Sequence, residues 1–127
     1  MIGYGLIILI WLSLEDNNNL SVALLGIGLA LLTSLFLLLN RFGGRTFSLR
    51  QCFWGNLVLG AIVGALSAVS TALLMFFKSS WHAHQFLDYP PQMMLAMLSR
   101  IPIWALAGFL IGLSVGNLVL LKNAKKD

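Results

Sequence analysis

Charge is what this sequence has least of. Asp and Glu together number four and Lys and Arg eight in 127 residues, whereas a globular domain carries roughly 25% charged residues. At 9%, there are too few charges to clothe a water-facing surface. Cysteine is nearly missing too. Cys52 stands alone, which excludes an intrachain disulfide, and two His without a second Cys give no recognised zinc spacing. Proline occurs three times, as the pair Pro90-Pro91 and as Pro102, and each occurrence marks a break in a helix. The net charge of +4 rests on few cations lying in short segments between apolar runs, a pattern that orients a chain in a membrane and does not track nucleic acid.

What is present is apolar surface. Hydrophobic residues make up 59% of the chain, with eight Phe, four Trp and twelve Gly, and the mean hydropathy is +0.91. Aromatics gather at membrane interfaces, and Gly is commoner in spanning helices than in soluble ones. The composition reads as an all-α polytopic membrane protein with one integral membrane domain over residues 1–127.

The stretch from Phe53 to Phe77 carries no charged side chain and, at about 25 residues, is long enough to cross a bilayer. Around it lie a second span at 20–39 and a last one at 102–121. Residues 2–14 form a shorter apolar segment covering roughly 20 Å of a hydrocarbon core about 30 Å thick. It either crosses by thinning the bilayer around it or reaches only partway and leans on its neighbours, and crossing is the expectation because the topology below works best with it. No Lys or Arg precedes it and no small-x-small site follows, so it reads as retained and not as a cleaved signal.

Residues 92–121 are too long for one straight span, and Ile101-Pro102 divides them. The part at 92–100 reads as an amphipathic interfacial helix. Met93, Met94, Met97 and Leu98 lie on one side, and Gln92, Ser99 and Arg100 nearer the other. The interval 78–91, with Trp81, Phe86 and Tyr89, reads as a surface loop at headgroup level. Four transmembrane segments, the first short, and one interfacial helix are the expected architecture.

Cations set the orientation. Arg41, Arg45 and Arg50 follow the second span and Lys122, Lys125 and Lys126 the last, against Lys78 and Arg100 in the remaining connection. Basic loops stay inside, so both termini are expected on the cytoplasmic side, and the expected location is a bacterial plasma membrane. Asn40, Asn56 and Asn117 fall near that same face and could form a polar cluster.

In lipid, helices associate through close backbone approach, and small residues mark where. Gly60, Gly64, Ala68 and Ala72 recur every fourth position in the third span, and Gly108, Gly112 and Gly116 in the last. Both are extended ribbons of the GxxxG kind, expected to pack on each other or on a partner.

Chemistry is sparse. His82, His84 and Asp88 are the one group of potential metal ligands, and the expectation is no metal and no cofactor. No nucleophile stands beside a base and no two carboxylates share an element, so an enzyme is not expected. The four apolar spans contain no ionisable residue that would mark a translocation path. Ser67, Ser70 and Thr71 are expected to bond carbonyls of their own helix.

The sequence thus reads as a small accessory or scaffold subunit, in contact with membrane lipids and with a larger membrane complex or further copies of itself. The alternative is an oligomeric passive channel or small-solute carrier lined by Ser and Thr. Topology reporters fused to each terminus should both respond on the cytoplasmic side. External activity at the N-terminus alone would show that residues 2–14 do not cross.

Overall fold

Ser48 and Gln51 set the start of the longest helix. The Ser48 N–H donates to Gln51 Oε1 at 3.1 Å and the Gln51 N–H donates to Ser48 Oγ at 3.3 Å. Two backbone donors that a helix start leaves without partners are thereby satisfied reciprocally. In the computed structural model, which describes residues 2–13, 18–82 and 89–125, this cap opens α3, Leu49–His82. The other helices are α1 Ile2–Ser13, α2 Asn19–Phe42, α4 Pro91–Ser99 and α5 Ile101–Ala124. No strand occurs among the described residues.

Each helix boundary has a local cause. Asn18 Oδ1 accepts the Leu20 N–H at 3.0 Å and begins α2. At its other end the Gly43 N–H reaches the Leu39 carbonyl at 2.9 Å, and Arg41 in the last turn suits the negative end of the helix dipole. The turn to α3 needs a left-handed residue, and Gly44 supplies it at φ 82°. Pro91 and Pro102 stand in the first turns of α4 and α5, where a missing N–H costs no helical bond.

Three helices, α2, α3 and α5, are long and apolar enough to cross a membrane. With 24, 34 and 24 residues they extend about 36, 51 and 36 Å, and they define an integral membrane protein. α1 has 12 residues, about 18 Å.

α3 is the axis of the bundle. α2 and α5 each pack along it, and α4 lies against its C-terminal part. The α3–α5 register is antiparallel. The Phe53 ring meets Gly116, the Asn56 carbonyl meets Gly112, Gly60 meets Gly108, and Gly64 meets Trp104 and Ala105. These contacts are made largely by backbone: a Cβ on Gly108 would lie 3.1 Å from Gly64 Cα, and one on Gly64 would lie 3.1 Å from Ala105 Cα. Further along, Ala68 and Ala72 are buried with Met97 of α4, against Ile101 and Trp104.

On the other flank α2 buries Val22, Gly26, Ala30 and Ser34, one residue per turn along one face. Its closest approach to α3 is at Gly26, where a Cβ would come within 2.8 Å of the Thr71 backbone nitrogen. α1 covers only part of α2. The Tyr4 hydroxyl donates to the Leu25 carbonyl at 2.5 Å, and the Tyr4 ring lies on Gly28. Gly28 precedes Phe42, the end of α2, by 14 residues (42 − 28), so α1 begins about 21 Å short of that end.

The described helices differ from the sequence reading at one place above all. α3 starts before Phe53, because Ser48-x-x-Gln51 caps it, and continues beyond Lys78 to His82, so the interval 78–91 opens as helix. Tyr89, read as a headgroup-level loop residue, is buried at 1% exposure.

The contrast between a glycine of α5 and one of α3 follows from their surroundings. Replacing Gly108 with Leu drives a side chain into the α3 backbone and should destabilise the bundle by about 2 kcal/mol or more, whereas Gly55, with nothing within 4 Å of an added Cβ, should accept Leu. Thermal denaturation in mild detergent, followed by loss of the monodisperse chromatographic peak, should separate G108L from G55L and wild type.

Candidate functional site

Buried polar side chains run along the C-terminal half of α3, from Ser67 and Thr71 to Lys78 and Ser79. Lys78 is fully buried. Its ammonium lies 4.2 Å from the centroid of the Trp11 ring and donates to the Trp11 carbonyl at 3.5 Å. That carbonyl belongs to the last turn of α1, where the helix dipole is negative, and the ring face adds a cation–π attraction. A cation at this position therefore ties α1 to α3. Trp11 Nε1 is buried with no acceptor among the described residues.

Ser79 does a second piece of joining. Its hydroxyl donates to the Tyr89 carbonyl at 3.3 Å and accepts the Tyr89 N–H at 3.1 Å. One side chain thereby satisfies both backbone groups of a buried residue, which is what permits Tyr89 to enter the interior. The Tyr89 hydroxyl in turn donates to the Asn18 carbonyl at 3.4 Å, next to the start of α2. Three connections, from α1, α2 and α4, thus converge on one turn of α3.

Beside this anchor opens a cleft of about 540 Å³, within the range of about 300–1,000 Å³ seen for small-molecule sites. α3 contributes Thr71 and Met75, α2 Asn19 and Ala23, α4 Met93 and Met97, and the α4–α5 junction Arg100 and Trp104. The Thr71 hydroxyl donates to the Ser67 carbonyl at 2.8 Å. A second cleft, of about 440 Å³, lies at the opposite end between α2 and α3, with Phe42, Phe47, Cys52 and Asn56 in its wall. There the Asn56 amide points to Cys52 Sγ at 4.0 Å.

The residues singled out in the sequence are distributed as follows. Gly60, Gly64, Gly108, Gly112 and Gly116 lie in the α3–α5 contact, and Ala68 and Ala72 lie where α4 joins it. The antiparallel register and the α2–α3 turn put Arg41, Arg45, Arg50, Lys122 and Lys125 at one end of the bundle. Arg45 stands 5.9 Å from the centroid of the Phe42 ring. Lys126 lies outside the described residues. Asn40 and Asn117 are exposed and are not hydrogen-bonded to Asn56 among the described residues. Of the weak metal candidates, His82 is the last residue of α3, and His84 and Asp88 lie outside the described residues.

Lys78, Ser79 and Trp11 escaped sequence reasoning as a group. The signal was spacing: Thr71, Leu74, Met75 and Lys78 continue one helical face at intervals of three and four, so Lys78 belongs to the span and does not end it. Comparison with known protein families, with curated proteins and with solved structures finds no match to this chain.

The Lys78–Trp11 contact is open to a double-mutant cycle. Lys78→Met and Trp11→Leu should each lower the thermal midpoint in detergent. Combined, they should fall short of additivity by about 1 kcal/mol, the size of a partly desolvated cation–π pair. Strict additivity would show that the two side chains do not act together.

Proposed function

We propose that this protein is a small integral membrane scaffold or accessory subunit that packs against a larger membrane complex. The observation that carries this reading is how the interior is filled. α3 and α5 touch backbone to backbone from Asn56 to Ala105, which leaves no room for a solute path between them. The Ser67 and Thr71 hydroxyls bond the Val63 and Ser67 carbonyls of their own helix at 2.7 and 2.8 Å, so they offer no open row of polar groups. What remains for contact is apolar surface: along α5, Ile103, Leu106, Leu110, Ile111 and Leu118 are all more than half exposed.

In this reading the end bearing Arg41, Arg45, Arg50, Lys122 and Lys125 faces the cytoplasm of a bacterial plasma membrane, in keeping with the distribution of cations. The C-terminus lies on that side. A cytoplasmic N-terminus as well requires the 12-residue α1 to cross a locally thinned bilayer as a fourth span.

Photo-crosslinking in native membranes tests the proposal. A photoreactive residue in place of Leu110 or Ile103 should capture a larger membrane protein in defined stoichiometry, while one in place of the buried Leu57 should not. The competing function is an oligomeric passive channel or small-solute carrier. Crosslinks confined to copies of this chain, together with solute leakage from liposomes holding the purified protein alone, would establish that function and overturn the scaffold.

A further inference from the structure

The cleft of about 440 Å³ between α2 and α3 has an order along its length that the scaffold role does not use. Its inner wall is aliphatic, with Leu38 from α2 and Val58, Leu59 and Ile62 from α3. Its outer wall is aromatic and polar, with Phe42, Phe47 and Gln51. Gly55 is the gap between the two, and an added Cβ there would meet nothing within 4 Å. The packing register gives the same order. Gly26 approaches Thr71, so Leu38 falls level with Leu59 at 12 residues from that contact (38 − 26 and 71 − 59), and Phe42 with Gly55 at 16 (42 − 26 and 71 − 55).

The outer wall holds a cation in place. The Arg45 N–H donates to the Phe42 carbonyl at 3.1 Å, and the Arg45 guanidinium stands 5.9 Å from the centroid of the Phe42 ring. The Phe47 ring meets the Phe42 ring edge-on at 6.0 Å. Attraction to a ring face leaves the planar fork of guanidinium donors for an anion, and that fork matches two phosphate oxygens. Gln51 adds a neutral donor: its Oε1 accepts the Ser48 N–H at 3.1 Å, which leaves the Nε2 hydrogens for a ligand. Arg50 is turned about 140° around α3 from Gly55, at about 100° per residue, and so stands off the cleft.

Depth matches a lipid from end to end. Measured from residue 65, the centre of the uncharged stretch Phe53 to Phe77, Ile62 lies at about 5 Å, Leu59 at about 9 Å, Gly55 at about 15 Å and Gln51 at about 21 Å. The hydrocarbon core ends about 15 Å from the bilayer centre. Leu38, Leu59 and Ile62 are therefore at acyl-chain level, and Arg45, on the Phe42 ring, is where headgroups begin. Moving the centre along α3 shifts all of these together and keeps their order. We infer that this cleft binds one anionic glycerophospholipid of the surrounding membrane, its phosphate on Arg45 and an acyl chain between Leu38 and Ile62. Basic pockets between spanning helices take acidic headgroups. A zwitterionic lipid is the weaker occupant, because it brings its ammonium group to the same guanidinium. The site is separate from the apolar α5 face invoked for the scaffold contact, so either assignment can fail without the other.

The test uses the full-length protein reconstituted in nanodiscs of equimolar phosphatidylglycerol and phosphatidylcholine, followed by mild extraction and native mass spectrometry of retained lipid. Wild type should keep phosphatidylglycerol over phosphatidylcholine by about fivefold, the scale on which one nearby cation repels an ammonium group at a protein surface. Arg45→Gln should bring that ratio close to one. Arg50→Gln removes the same charge from the same end of the bundle but off the cleft, and should leave the ratio unchanged. Gly55→Phe, which occupies the gap and keeps the guanidinium, should reduce retention of both lipids. Helical circular dichroism and elution volume matching wild type qualify each variant as folded. A folded Arg45→Gln protein that keeps the wild-type preference would overturn the assignment. An equal loss of preference in Arg50→Gln would overturn it as well, by showing a diffuse attraction to the basic end in place of a site. Displacement of the lipid by millimolar inorganic phosphate alone would do the same, by showing a site for the free anion. So would a cleft that retains no lipid and instead crosslinks, from a photoreactive residue at Val58, to another protein or a second copy of this chain.

Discussion

The bundle depends on two backbones touching. Between Gly60 and Gly108 there is no side chain on either helix to hold α3 and α5 apart, and the carbonyl of each residue lies where the other's Cβ would be. In water such a contact would be a minor supplement to apolar burial. In lipid, where a leucine is no better off against protein than against an acyl chain, dispersion between closely approaching main chains is one of the few forces that can select one arrangement. The rest of the fold is arranged around that line: the Phe53 ring closes it at one end over Gly116, and α4 closes it at the other with Met97 on Ala68 and Ala72.

α3 meets α2 by different means. The Gly26 approach to Thr71 is as close, yet it stands at one turn only and is reinforced by small residues with side chains, Ala30 and Ser34. Toward its C-terminus packing gives way to polar fastening. Lys78 holds the last turn of α1, Ser79 holds both backbone groups of Tyr89, and Tyr89 reaches Asn18. α1 and the chain leading into α4 therefore owe their positions to a few directional contacts, while α5 owes its position to an extended face. Local opening follows the weaker of these, which makes α1 the first described element to come free.

The helical character and membrane-spanning length of α2, α3 and α5 were legible because 18 or more apolar residues without charge leave few other solutions. The division at Pro102 was legible for a similar reason: proline constrains the residue before it as well as itself. What was not legible depends on tertiary partners. A lysine after a long apolar run reads as the end of a span unless the ring of Trp11, 67 residues earlier, is known to lie beneath it. Ser48-x-x-Gln51 has the spacing of a capping box, but Arg45 and Arg50 give the same segment the composition of a loop. A four-residue repeat of small side chains says that something approaches closely. It does not say that the same ribbon meets α5 at Gly60 and α4 at Ala72.

The partial reach of α1 has a consequence for the shape of the whole. At the Tyr89 end the cross-section holds α2 and α3 together with α1 and α4; at the end bearing Arg41 and Lys122 it holds α2, α3 and α5 alone among the described residues. Each helix occupies a disc about 10 Å across, so the molecule tapers through the bilayer and displaces more lipid from one leaflet than from the other. A tapered inclusion couples to curvature: its resting place in a membrane is set by how the two leaflets share area, and not only by the residues it presents to a neighbour.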